Sequence, residues 1–174
     1  PDRWDNESPA HEVEILPFAI ARQPVTNGAV LAFIAEGGYR DDRLWSREGR
    51  RWRDREAIAA PLHWRRVASG WERWTLAGWR PVDPFHPASH LSFFEAEAIA
   101  RWAGARLPSE IEWERAAAGA SSRKPRWPRG AAASANLTLR LGDTAPCSSA
   151  GAAPCGAEEM IGNVWEWTAS PFGP

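Results

Sequence analysis

The sequence predicts an α+β fold with few short strands, two or three helices and a large share of ordered coil. Three observations carry that prediction. Two Ser-x-x-Glu runs, Ser92 to Glu95 and Ser109 to Glu112, have the pattern of capping boxes, in which the two side chains reciprocally satisfy free backbone N–H groups at a helix start. An apolar run near the N-terminus, Val13, Ile15, Phe18 and Ile20, alternates with polar neighbours as strand residues do. Between residues 39 and 90, six tryptophans (Trp45, Trp52, Trp64, Trp71, Trp74 and Trp79) follow no helical period. Disordered segments are depleted in large aromatics, so this stretch reads as ordered coil.

Taken in order, the run "HEVEILPFAIARQPVT" predicts one or two short strands broken at Pro17. A helix follows, capped by Thr26 or Asn27, with Val30, Leu31, Phe33 and Ile34 on one face and Gly37 and Gly38 as a left-handed stop. Within the tryptophan-rich segment, "GWERWTLAGWRPVDP" predicts a hairpin and then an irregular loop. The two capped helices end at Gly104 and Gly119. Residues 120–158, rich in Ala, Ser, Gly and Pro, are expected to run as a surface loop.

With 174 residues, 44% hydrophobic and 25% charged, the chain reads as one domain spanning 1–174. Its 21 basic and 22 acidic residues nearly cancel, which gives no global electrostatic reason for a nucleic-acid or anionic-membrane partner. Arg47, Arg50, Arg51, Arg53 and Arg55 alternate with Glu48, Asp54 and Glu56, the pattern of a solvated, ion-paired surface. No apolar run has the length of a membrane span and the N-terminus has no signal pattern, so a soluble, cytoplasmic chain is expected. Cys147 and Cys155 are expected as free thiols, and the scattered His11, His63, His86 and His90 as scaffold residues.

Three stretches, "HEVEILPFAIARQPVTNGAVLAFI", "HLSFFEAEAIARWAGARLPSEIEWERAA" and "MIGNVWEWTAS", occur in that order. Together they resemble formylglycine-generating-enzyme-like domains, the sulfatase-modifying-factor family. The resemblance covers most of the chain, and its last motif, Gly-Asn-X-Trp-Glu-Trp-Thr, is specific. It implies a compact variant of the C-type-lectin-like architecture. Within that superfamily, "GGYRDDRLWSREGRRW", "APLHWRR" and "GWRPVDPFHPASHLSFFEA" are similar to the C-terminal domain of ergothioneine-biosynthesis sulfoxide synthases and their selenoneine-forming relatives.

The resemblance implies an oxidoreductase that uses O2 to join hercynine, which is trimethylated histidine, to a thiol or a selenium donor. In such enzymes Fe(II) is bound by three histidines in an N-terminal DinB-like helical bundle, which is a partner of this domain. None of the four histidines here maps to that bundle. The family continues past "SPFGP" into a segment with its catalytic tyrosine, so the catalytic residues are expected beyond residue 174. The chain as given is then truncated at its C-terminus, lacks the bundle, and is inactive alone. Two alternatives remain: a formylglycine-generating oxidase of peptide cysteine, and a lectin-like binding module without catalysis.

The motif Trp165-Glu166-Trp167 holds the candidate site residues. By alternation the tryptophans face opposite sides of an extended segment, one filling the core and one reaching the cleft, with core filling the default place for both. A tryptophan face could also attract a trimethylammonium group, which makes Trp165 and Trp167 candidates for substrate binding. For Glu166 an acid–base role has no paired carboxylate to support it, which leaves two readings. One is a buried hydrogen bond or arginine pair. The other is implied by the resemblance: a structural calcium held by Glu159, Gly162, Val164 and Glu166 through carboxylate and carbonyl oxygens. Glu159 stands where the family usually has asparagine. Asn136 and Leu137 match the start of a second calcium site whose acidic loop is not recognisable here.

Overall fold

A computed structural model describes residues 12–119, 135–137, 141–147 and 151–171. In chain order these form α1 (Asn27–Ala35), a 3-10 turn (Asp42–Leu44), α2 (Arg47–Glu56), β1 (Trp64–Val67), β2 (Gly70–Thr75), β3 (Gly78–Pro81), α3 (Phe93–Trp102) and α4 (Glu110–Ala118). The strands make one antiparallel sheet in the order β1-β2-β3, with Trp64 opposite Arg73 and Trp74 opposite Trp79. Helices, a small sheet and much coil match the predicted α+β class.

Local chemistry explains the helix ends. The Thr26 side chain accepts the Ala29 N–H at the start of α1, and Gly37, at φ +80°, takes the left-handed turn that ends it. Both capping boxes form as read, Ser92 with Glu95 and Ser109 with Glu112, and left-handed Gly104 follows α3. Gly38 has a steric reason to be glycine: a Cβ there would lie 2.2 Å from the ring of Phe33.

Helix α2 was not legible in the sequence. It starts at Ser46, whose side chain accepts the Gly49 N–H, and ends at left-handed Ala57. Its inward residues are Gly49, Trp52 and Arg53, so a polar residue occupies a position where periodicity would require an apolar one. The solvated-surface reading is therefore corrected at Arg53, which is buried, ion-paired to Asp42 and Asp54, and stacked over Trp45. The expected N-terminal strands are corrected too. Residues 12–25 are extended but carry no strand among the described residues, although Phe18 and Ile20 still face the core. Alternation reported the burial of one side, and strand pairing needs a neighbouring edge that alternation cannot supply.

The larger core joins α1, the 3-10 turn, β1 and α3 through Val30, Phe33, Tyr39, Trp45, Trp64, Ala98 and Ile99. Its polar groups are satisfied internally: Tyr39 Oη donates to Glu95 Oε1 at 2.6 Å, and Trp45 Nε1 donates to the Gly38 carbonyl at 2.8 Å. A second cluster combines α4 with Ala153, Ala157 and Met160. The surface-loop reading of 120–158 is thus corrected where it can be followed, since Ala135, Ala145, Ala153 and Ala157 are buried; most of that segment lies outside the described residues.

Candidate functional site

The extended segment 164–170 runs past the N-terminal ends of both capped helices. Trp167 Nε1 donates to the Leu91 carbonyl at 2.9 Å, one residue before the cap of α3. Ala169 N donates to the Pro108 carbonyl, and Glu110 N donates to Ser170 Oγ, which fixes the start of α4. Beside this segment lies a cleft of about 710 Å³. The end of β2, the Ser89–Leu91 turn, residues 142–144 and the Asn163–Trp167 run line it.

Core filling is not what the two motif tryptophans do. Trp165 is 103% exposed and Trp167 51%, and both line the cleft. The core is already filled from α1, α3 and the tryptophan-rich segment, so the late aromatics are left on the wall. Trp167 is held edge-on to Phe93 at 5.9 Å as well as by its indole N–H. Trp165 has no ring stacked against it among the described residues, and its full exposure costs hydrophobic free energy that a ligand would recover.

Glu166 lies between them and accepts from Trp113 Nε1 of α4 at 3.2 Å. No basic residue is within ion-pair distance of it among the described residues, so of the two scaffold partners the hydrogen bond forms and the arginine pair does not. The crowding protein atoms push its carboxyl above the usual carboxylate range, and the Trp113 hydrogen bond opposes that shift. The residue still keeps open surface toward the cleft, so water moderates the effect.

Glu159 is buried, and its Oε2 accepts from Asn163 Nδ2 at 3.1 Å. Glu159, Gly162 and Asn163 all have left-handed backbone, which curls the chain tightly before the motif. The Gly162 carbonyl accepts from Val164 N at 2.8 Å. Nearby, the Cys147 thiol is pushed up by burial first and then by the charges of Glu159, Glu158 and Glu166, which makes it a poor thiolate. Cys147 and Cys155 are both free thiols, as expected. Asn136 joins the cleft wall, donating from Nδ2 to the Asp143 carbonyl, while its buried Oδ1 has no partner.

Sequence reasoning missed another part of the cleft lining. Arg73 of β2 is buried and directs Nη2 to both oxygens of Asp143, at 2.8 and 2.7 Å, while its Nε has no hydrogen-bond partner. His63 and His90 meet edge to face at 5.0 Å, and both have left-handed backbone, φ +66° and +61°. That conformation is uncommon outside glycine, although histidine tolerates it better than most residues, and it concentrates at functional sites. His90 is pushed below the usual imidazole value by burial, then by His63 and Arg73, so it is neutral at pH 7. No local signal predicts this grouping, because it exists only once the sheet and the Ser89–Leu91 turn come together. His86 keeps the expected scaffold role, its Nδ1 bonded to Thr144 Oγ1, and His11 lies outside the described residues. Among the described residues there is no group of three or more His, Cys, Asp or Glu able to hold a metal ion, and no helix long and apolar enough to cross a membrane.

Comparison with known proteins supplies a family. Residues 2–174 match the sulfatase-modifying factor enzyme 1-like domain. The chain is 45% identical over its whole length to a hercynine oxygenase of Mycolicibacterium thermoresistibile and 44% identical to one of Mycobacterium tuberculosis, covering 40% and 42% of those proteins. It is also 33% identical to the inactive C-alpha-formylglycine-generating enzyme 2 of Mus musculus, over 100% of the chain and 65% of that protein. The chain thus spans about two fifths of the hercynine oxygenases it matches, and the family includes members without activity.

Proposed function

The chain belongs to the sulfatase-modifying factor enzyme 1-like family, and on that premise we propose that it is the cleft-forming domain of a longer oxidoreductase acting on hercynine. In this reading the whole enzyme works in the cytoplasm and uses O2 to join hercynine to a thiol or a selenium donor, as in ergothioneine and selenoneine formation. The observation that carries the reading is the fully exposed indole of Trp165, beside Trp167 on the cleft wall. A trimethylammonium group has no N–H to donate, so aromatic faces and a nearby carboxylate are what can hold it, at about 0.5–2 kcal/mol per aromatic contact.

Iron(II), when bound in such an enzyme, supplies the activation of O2. The described residues of this chain do not fit an iron site, because no three-ligand group exists among them. The reading therefore assigns iron to a DinB-like N-terminal domain outside this chain. What the present residues do is bind and orient: the indoles of Trp165 and Trp167 face the cation, and Trp167 is locked by its bond to Leu91.

Calcium is the metal this reading gives the chain itself. Glu159 and Glu166 with the carbonyls of Gly162 and Val164 would offer it oxygen donors only, the chemistry calcium takes. A bound calcium would neutralise these carboxylates and brace the motif. A calcium-dependent rise in melting temperature that is lost in Glu166→Gln would support it; equal melting in calcium and chelator would sink it.

The activity is tested on the full-length polypeptide, loaded with Fe(II) without air and then given O2, hercynine and each donor in turn. A hercynine-dependent adduct by mass, with Trp165→Ala raising the KM for hercynine about tenfold at unchanged melting temperature, is the expected result. Oxygen uptake that ignores hercynine would overturn the reading.

A further inference from the structure

The cleft holds a second chemistry next to the aromatic wall. His90 precedes Leu91, whose carbonyl receives the Trp167 indole N–H, so the histidine pair and the aromatic wall are adjacent. Behind the pair, Arg73 is tied to Asp143 through one nitrogen only, and its buried Nε has no partner. A buried guanidinium donor left without a hydrogen-bond partner is costly, while the charge of Arg73 is matched by Asp143. The two imidazoles keep open surface toward the cleft, and an imidazole ring carries at least one N–H to offer. The left-handed backbone of His63 is held in place by the fold: Trp74 N donates to its carbonyl at 2.8 Å.

We propose that His63 and His90, backed by Arg73, form a carboxylate subsite beside the indoles of Trp165 and Trp167, so that the cleft selects α-betaines, amino acids with a quaternary amine and a free carboxylate. This rests on the hercynine reading and deepens it. In an α-betaine both charges sit on one carbon. A site for it must place anion donors and a cation-accepting face side by side, not at opposite ends of a groove, and this is the juxtaposition seen here. Arg73 supplies field from behind the rings, and the imidazole N–H groups supply the direct hydrogen bonds. These are binding and positioning roles.

The experiment measures binding to the full-length polypeptide under nitrogen, by tryptophan fluorescence, for hercynine, for its analogue lacking the carboxylate, and for unmethylated histidine. Hercynine should bind at least about tenfold more tightly than either, since each analogue lacks one of the two recognised groups. His90→Gly keeps the left-handed backbone and removes the donor; it should abolish the preference for hercynine over the decarboxylated analogue, and His90→Asn, which tolerates that backbone and restores a donor, should recover part of it. Equal affinity of the wild type for hercynine and the decarboxylated analogue would overturn the subsite while leaving the hercynine reading standing. No hercynine binding at all would overturn both. The analogue comparison needs no variant, so a misfolded His90→Gly does not remove the test.

Discussion

Helices α3 and α4 begin with the same four-residue device, and it sits in two different environments. At α3, Glu95 is buried, receives the Ser92 N–H at 2.8 Å on one oxygen and the Tyr39 hydroxyl at 2.6 Å on the other, and burial pushes its carboxyl up. At α4, Glu112 receives the Ser109 N–H and two nitrogens of Arg106, at 2.8 and 2.6 Å, and that guanidinium holds its carboxyl down at about 2. Arg106 covers Glu112 at the protein surface, where water still screens the pair. One motif thus does two jobs. At α3 the cap doubles as the acceptor for a core tyrosine; at α4 it is a surface clasp.

The largest way to break the comparison is Glu95→Ala. It strands the buried Tyr39 hydroxyl and removes the cap together, at about 2–4 kcal/mol, whereas Glu112→Ala loses less because water replaces its partners. Thermal or urea unfolding of the two variants checks the order, and an equal loss would show that Glu95 is not the buried anchor described.

Acid titration sharpens it next. Glu112, with its folded value depressed, contributes stability that is present above about pH 4.5 and lost as pH falls toward about 2. Glu95 has the opposite sign: its folded state favours the proton, so its contribution weakens as pH rises above the unfolded value of 4.5. Side-chain NMR should find Glu112 titrating near 2 and Glu95 above 4.5, and reversed midpoints would refute the environments assigned. The smallest effect is Arg106→Gln. It should return the Glu112 midpoint toward 4.5 with little change in unfolding, because the guanidinium side of the pair is open to water, and such screened pairs are worth only about 0–1 kcal/mol.

The same contrast shows how much was legible. Capping boxes are local, so α3 and α4 could be read from four residues each, and α1 from its threonine and glycines. Helix α2 could not, because its inward stripe includes Arg53, whose partner Asp42 belongs to the preceding turn. The motif Gly162–Thr168 identified the family, yet the place of its tryptophans came out reversed. Whether an indole fills a core or walls a cleft depends on what else has filled the core. The Arg73–Asp143 pair and the His63–His90 contact were invisible for a related reason: they join residues far apart in sequence, and neither member has a local pattern.

The bonds of segment 167–170 make the cleft wall mechanically continuous with the scaffold. Trp167 is tied to the residue before the α3 cap, Ala169 to Pro108 before the α4 cap, and Ser170 to the first residue of α4. A molecule pressing on Trp167 therefore loads both helix starts through a few ångströms of hydrogen-bonded chain. Cleft occupancy becomes readable at a distance, as slower amide exchange at Glu95 and Glu112, the residues whose N–H groups close the two caps. The wall that meets the ligand is also the strap that gathers the two helices.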